Sequence, residues 1–230
     1  MGWREEAKKR VALEAVKHVK NGNIIGLGSG STAAYVIEQI AEKVKQKDLQ
    51  VFGVPTSYQA LTLAMLCGVP ITTLDEHPQL DLAIDGADQI DNKLNLIKGM
   101  GAALAREKIV ASAARQFIVV ADETKLVNKL GTDQAVPVEI LPFALSPLLM
   151  KLREMGGEPI VREGKGKVGP VVTDNGNLIV DVDFGPIDAP EKLDARLKLV
   201  PGVVETGLFV GMADLVYAGS EKAVRKLKRR

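Results

Sequence analysis

The alternation of short apolar runs with longer amphipathic segments through the first half of the chain constrains its fold more than any other feature. Runs at 23–27, 49–54, 71–74, 80–84 and 117–121 read as strands, and segments at 4–20, 32–45, 57–67 and 102–115 read as helices. Strand and helix in turn are the signature of a parallel sheet with helices on its faces, because parallel strands need crossover connections. In such a sheet the loops leaving the carboxyl ends of the strands converge on one edge, where ligands bind. Four loops here are chemically distinctive: Gly26-Leu27-Gly28-Ser29-Gly30-Ser31-Thr32, Asp85-Gly86-Ala87-Asp88, Lys98-Gly99-Met100-Gly101 and Asp122-Glu123-Thr124-Lys125.

After residue 131 the pattern becomes mixed, with strands expected at 136–140, 159–162, 171–172, 178–182 and 203–204 and helices at 146–155 and 190–197. Thr173-Asp174-Asn175-Gly176-Asn177 reads as a hairpin turn whose Asn-Gly pair supplies positive φ angles. The expected division is a main α/β domain of residues 1–130 plus 207–230 and a smaller α+β domain of residues 131–206. A strand at 213–217 and a helix after Gly219 are expected to return to the main sheet.

Thirty basic and twenty-nine acidic residues leave a net charge of +1, and the charges are scattered. That excludes the concentrated basic face of a nucleic-acid binder. The one basic cluster, Arg225-Lys226-Leu227-Lys228-Arg229-Arg230, is read as a helix end, where cations suit the dipole. No apolar stretch approaches the ~20 residues that span a bilayer, and the charged first twenty residues do not resemble a secretory leader, so a cytoplasmic protein with no membrane partner is expected. Cys67 stands alone and is read as core filler; His18 and His77 lack ligand-type neighbours, so no metal is expected.

The loop at Gly26–Thr32 sets three glycines between a strand and a helix, so that a ligand can approach the backbone and the helix N-terminus can present N–H groups to an anion. Ser29, Ser31 and Thr32 add hydroxyls. Ser31 stands where a dinucleotide fingerprint has its third glycine, and no acidic residue ends the strand at 49–54 to hold a ribose hydroxyl, so a phosphate fits better than NAD. A tight turn with a Thr cap is the structural alternative.

Asp85 and Asp88 flank Gly86 and Ala87 at a strand mouth. They suit sugar hydroxyls or proton transfer, while a metal held with Asp91 lacks both the calcium-loop spacing and a His ligand; a solvated Asx turn is the alternative. Beyond Lys98-Gly99-Met100-Gly101, the residues Ala103, Glu107, Val110 and Ala114 fall on one helix face, which places Glu107 among apolar neighbours. No basic residue lies three or four positions from it, so the expectation is a general base of raised pKa, unless a lysine from elsewhere pairs with it. Lys125 follows a strand and suits an anion. Lys8 shares a line with Val11, Ala12, Ala15 and Val19, and either contacts a ligand or merely covers apolar surface.

Taken in order, Gly28-Ser29-Gly30-Ser31-Thr32-Ala33-Ala34, Asp85-Gly86-Ala87-Asp88, Lys98-Gly99-Met100-Gly101-Ala102-Ala103-Leu104 with Arg106-Glu107-Lys108-Ile109, and Pro201-Gly202-Val203-Val204-Glu205-Thr206-Gly207-Leu208-Phe209 resemble the type A ribose-5-phosphate isomerases. The resemblance spans nearly the whole chain. It implies a Rossmann-like, mostly parallel sheet with a smaller ferredoxin-like α+β domain, a homodimer or homotetramer, and interconversion of D-ribose 5-phosphate and D-ribulose 5-phosphate without a cofactor. It makes Glu107 the base that moves a proton between C1 and C2 through a cis-enediolate. Asp85 and Asp88 would assist ring opening and hold hydroxyls, and Lys98 with the amides of Gly99, Met100 and Gly101 would stabilise the oxyanion. Ser29, Gly30, Ser31, Thr32, Gly86, Ala87 and Lys125 would complete the substrate contacts, with Lys8 as a helper. The family's usual triple glycine is broken by Met100, whose side chain must turn away from the substrate or narrow the pocket. A sugar-phosphate sensor is disfavoured by the lack of room for an output domain before the first strand, and a nicotinamide-dependent oxidoreductase by Ser31.

Overall fold

A computed structural model describes residues 2–46, 49–166 and 168–229. In chain order the elements are α1 (Trp3–Val16), β1 (Ile24–Leu27), α2 (Ser31–Lys45), β2 (Phe52–Pro55), α3 (Tyr58–Cys67), β3 (Leu82–Asp85), β4 (Gln89–Ile90), β5 (Leu96–Ile97), α4 (Leu104–Ala113) and β6 (Phe117–Asp122). They continue as β7 (Val136–Ile140), α5 (Leu145–Glu154), β8 (Glu158–Val161), β9 (Leu178–Asp183), α6 (Pro190–Lys198), β10 (Val203–Thr206), β11 (Leu208–Phe209), β12 (Leu215–Gly219) and β13 (Val224–Lys228). Two compact units emerge: residues 1–87, 106–126 and 212–230 form the first, and residues 88–105 and 127–211 the second. No helix among the described residues is long and apolar enough to cross a membrane.

The first unit is a six-stranded sheet in the order β13-β12-β6-β3-β1-β2, parallel throughout except for β13. Its inner strands read as uninterrupted apolar runs because both faces are covered: every residue of β3 and β6 is buried. Helix α2 turns Ala33, Val36, Ile37, Ile40 and Ala41 inward at the three- and four-residue spacing of one face. Helix α3 is fixed at both ends, Ser57 accepting the Ala60 N–H and Gly68 closing the helix at φ +85°. Cys67 packs, partly buried, against this unit's core.

Two expectations fail in this unit. Residues 71–74 form no strand and contribute only an isolated bridge from Ile71 to Gly53. The segment after Gly219 is a strand, not a helix: β13 pairs antiparallel with β12, from Leu215 opposite Lys228 to Gly219 opposite Val224. Charged residues fit an edge strand as well as a helix end, since Lys and Arg on an open edge discourage pairing with other chains. Lys226 also lies 5.8 Å from the ring centre of Tyr217.

The second unit carries a four-stranded antiparallel sheet in the order β10-β7-β9-β8. With α5 and α6 it follows the β-α-β-β-α-β plan of a ferredoxin-like domain. The turn before β9 forms at Asn-Gly, with only Gly176 at a positive φ, +80°, but the strand expected at 171–172 does not form and leaves only an isolated bridge from Val172 to Leu178. That turn is held by a buried carboxylate: Glu139 Oε1 accepts from Thr173 (2.9 Å), Asn175 (2.9 Å) and Asn177 (2.8 Å). A separate three-stranded sheet, β11-β5-β4, also belongs to this unit. Its two-residue strands are too short to stand out in the sequence, so 88–105 reads as part of the main domain, while the pairing of β5 with β11 draws it into the second unit.

Candidate active site

Within the first unit, β1 lies between β2 and β3, so the direction of strand addition reverses there and the crevice between β1 and β3 is the switch point of the sheet. Gly28 and Asp85 meet at that point. A Cβ on Gly28 would stand 2.2 Å from Asp85 Oδ1 and 2.5 Å from its Cα, so only glycine admits the carboxylate. Asp85 is buried, and its Oδ1 accepts the N–H groups of Ser29 (3.0 Å) and Gly86 (2.7 Å). Gln59 accepts the Gly30 N–H at 2.8 Å. With the Gly28 N–H donating to the Ile84 carbonyl at 3.0 Å, the amides of Gly28, Ser29 and Gly30 are all taken by the protein's own acceptors, and the Ser29 hydroxyl turns to Thr56 (2.7 Å) and Ser57 (2.5 Å).

What remains for an anion is the start of α2. Gly30, at φ +94°, precedes Ser31 and Thr32, whose groups stand at the positive end of a 15-residue helix. Lys8 on α1 reaches this point, its Nζ donating to Ser31 Oγ at 3.1 Å and to Glu5 Oε1 at 2.7 Å. The Tyr35 hydroxyl donates to the other Glu5 oxygen at 2.8 Å. The bonds from Lys8 and Tyr35 hold the Glu5 carboxyl below its ordinary range, and the bond to Glu5 raises the Tyr35 phenol. At the end of β6, Asp122 accepts the Thr124 N–H and caps the short turn that carries Lys125, which is half-buried.

Glu107 lies in the first turn of α4 and is 6% exposed. One turn on, Val110 fills the space above Gly26, where an added Cβ would fall 2.4 Å from Val110 Cγ1 and 2.8 Å from the Ala83 methyl. Glycine in β1 therefore lets this face of α4 close onto the sheet and bury Glu107 with it.

Within the second unit, β4 and β5 bring Asp88 and Lys98 together with the glycine loop. Asp88 Oδ2 accepts the Met100 N–H at 3.0 Å. Lys98, 3% exposed, lies with its ammonium 5.5 Å from the centre of the Phe209 ring. Gly99 is required at φ +110°, and a Cβ there would stand 2.7 Å from Leu104 Cδ2. Position 100 makes no such demand. Met100 takes an ordinary φ and is half exposed, its sulfur 3.0 Å from the Gln134 amide nitrogen, so the departure from triple glycine costs no backbone strain. Asp91 is occupied in the β4–β5 turn, where it accepts from Lys93 N–H and from the backbone and side chain of Asn95.

Sequence reasoning missed Thr56, Ser57 and Gln59 around the cradle, Glu5 and Tyr35 behind Lys8, and Arg162, Asp181 and Gln134 beside the glycine loop. Hydroxyls directly after β2 were a usable signal for the first two, since that strand ends at the same edge. Arg162 and Asp181 lie far along the chain and carry no local motif.

The family model of ribose 5-phosphate isomerase A (phosphoriboisomerase A) matches residues 52–223. Ribose-5-phosphate isomerase A of Methanothermobacter thermautotrophicus is 49% identical over 221 residues, which cover 96% of this chain and 97% of that protein. The enzyme of Trichodesmium erythraeum is 50% identical over 213 residues, covering 92% and 90%. A solved D-ribose-5-phosphate isomerase in complex with phospho-erythronic acid superposes with a TM-score of 0.97 at 45% identity and full coverage of both chains. Ribose 5-phosphate isomerase A of Methanocaldococcus jannaschii superposes at 0.94 with 48% identity, covering 97% of this chain and 99% of that one. Matches of this extent at both levels establish that the chain belongs to the ribose 5-phosphate isomerase A family.

Proposed function

We propose that this protein interconverts D-ribose 5-phosphate and D-ribulose 5-phosphate, with Glu107 as the base and no cofactor. The observation that carries the reading is Glu107 itself, a carboxylate buried on an apolar helix face in a chain of this family. A desolvated carboxylate is a stronger base toward a carbon acid than a solvated one. It takes the C2 proton of the open-chain aldose, and the electron pair moves into a C1–C2 double bond and onto O1. Return of the proton to C1, transfer of the O2 proton to O1 and collapse of O2 to a carbonyl give the ketose. Atoms and charge balance without an outside oxidant.

The other roles divide by chemistry. Ser31, Thr32, Lys8 and Lys125 suit the phosphate, with Ser29 and Gly30 shaping the loop that presents the first two. Asp85 and Asp88, with Gly86 and Ala87 between them, suit ring opening and the sugar hydroxyls. Lys98 and the amides of the Gly99–Met100–Gly101 loop suit the oxygen that gains charge, where fixed donors act without reorganisation. The protein named in complex with phospho-erythronic acid supports this reading, since that ligand joins a phosphate to a carboxylate whose two oxygens resemble those of an enediolate.

Incubation of metal-stripped protein with ribose 5-phosphate and no nucleotide tests the proposal, with ketose formation expected. Binding of ribose 5-phosphate with no turnover would replace the isomerase by a sensor. We further propose a homo-oligomer, homodimer or homotetramer: Phe143 and Leu199 of the second unit carry large apolar side chains into solvent. Sedimentation at micromolar concentration should show an assembled species, and a monomer would contradict it. The proposed location is the cytoplasm, where this substrate would be met; fractionation tests it.

A further inference from the structure

We propose that Arg162 is a positioning residue that sets the glycine loop in its working orientation; the inference rests on the role given above to Lys98–Gly101. Arg162 directly follows β8 and is 12% exposed. Its Nε donates to Asp181 Oδ2 at 2.7 Å and its Nη2 to Oδ1, a two-pronged pairing with a residue of β9. With that edge locked, Nη1 is aimed at the loop. It donates to the carbonyl of Gly99 at 2.7 Å and to the carbonyl of Met100 at 3.0 Å.

Two consecutive carbonyls of the loop are therefore turned toward one cation. A trans peptide places N–H opposite C=O, so the amides of Met100 and Gly101 are turned to the other side. The Met100 amide meets Asp88 Oδ2 on that side at 3.0 Å, as the geometry requires. The Gly101 amide is presented in the same sense. Hydrogen bonding at a carbonyl also polarises its peptide, making the N–H a better donor. Arg162 thus fixes the direction of both amides: that of Met100 is delivered to Asp88, and that of Gly101 is the donor it aligns and sharpens for the developing oxyanion. Its side chain also explains the place of Met100, whose sulfur lies 3.9 Å from Nη2, on the side away from those amides.

The fork is specific to arginine. A lysine keeps the charge but cannot grip Asp181 with two donors while holding two carbonyls. Misplaced catalytic donors and lost supporting contacts typically cost on the order of 10- to 100-fold. Arg162→Gln should lower kcat by about that factor with KM for ribose 5-phosphate little changed, because the phosphate cradle does not depend on Arg162; Arg162→Lys should lose less, and Asp181→Asn should fall near the lysine variant.

Steady-state kinetics of the three variants test this, alongside thermal melting, Glu107→Gln, and inhibition by phospho-erythronic acid and by inorganic phosphate. The expected pattern is weaker inhibition by phospho-erythronic acid in proportion to the loss of kcat, with inhibition by inorganic phosphate unchanged. Should Arg162→Gln fail to fold, Arg162→Lys and Asp181→Asn carry the same comparison. Unchanged kcat in folded variants overturns the proposal, as does a loss confined to KM or one that vanishes per folded molecule. If Glu107→Gln is inactive while the Arg162 variants are fully active, only this inference falls. If Glu107→Gln is fully active, the reading beneath it falls.

Discussion

The two glycine loops, Gly26–Thr32 in the first unit and Lys98–Gly101 in the second, are built from the same residue and held in opposite ways. The first is gripped through its N–H groups, by Asp85 at Ser29 and by Gln59 at Gly30. The second is gripped through its carbonyls, by Arg162 at Gly99 and Met100. A loop whose amides are consumed internally must leave anion binding to its neighbours, here the helix start at Ser31 and Thr32 and the ammonium of Lys8. A loop whose carbonyls are consumed turns its amides the other way, where Met100's meets Asp88 and Gly101's is left for an anion. Glycine content alone distinguishes neither case; the partners decide.

The contrast breaks down or sharpens under substitution. Among the two loops, the largest effect should come from Lys98→Met, which removes the buried cation of the second loop: kcat should fall about 10²–10³-fold with KM nearly kept, measured by initial rates. Lys8→Met should act on the other parameter. Losing a charged hydrogen bond of ~1.5–3 kcal/mol should raise KM about 10- to 100-fold and leave kcat largely intact, and a pure kcat loss would erase the distinction between the loops.

Backbone tests come next in size. Gly28→Ala forces a methyl into Asp85, and Gly99→Ala sets a side chain at φ +110° against Leu104. Each should destabilise by about 1–3 kcal/mol in denaturant melts. Met100→Gly should cost under ~1 kcal/mol and leave kcat near wild type, since position 100 bears no strain; equal costs at 99 and 100 would contradict the account of the loop.

The smallest effect lies away from both loops. His18 Nε2 lies 2.8 Å from the Tyr217 hydroxyl, and burial, with the charge of Lys226, holds its pKa below the ordinary 6.5. The unfolded chain then binds the proton more readily than the folded one, so stability should be full well above pH 6.5 and decline as pH falls through that value toward the folded pKa. His18→Gln should flatten that part of the profile; an unchanged slope would assign it to other groups.

Much of the fold was legible because parallel strands covered on both faces must be apolar until they reach the edge, as β3 and β6 are up to the aspartates that end them. The α+β character of the second unit was legible from helices and strands of ordinary length, while its ferredoxin-like plan came from the family resemblance. The failures share one cause, which is that a segment's own pattern does not say what it pairs with. Strand β13 is specified by β12 across a turn, and β4, β5 and β11 consist of two residues each, so periodicity had nothing to register. In the candidate site, Asp85, Lys98 and Glu107 announced themselves by charge beside glycine or on an apolar face. Arg162 did not, because its meaning depends on Asp181 and on a loop some sixty residues earlier, which only the folded second unit brings to it.

The central claim is that Glu107 carries the proton. The most direct measurement is turnover of ribose 5-phosphate by wild type and by Glu107→Gln under saturating substrate, with binding of the sugar phosphate checked in both by calorimetry. The account predicts that the variant folds and binds but loses about 10²–10⁴-fold in kcat, the range expected for removal of a general base. A variant that binds and turns over at the wild-type rate would contradict it.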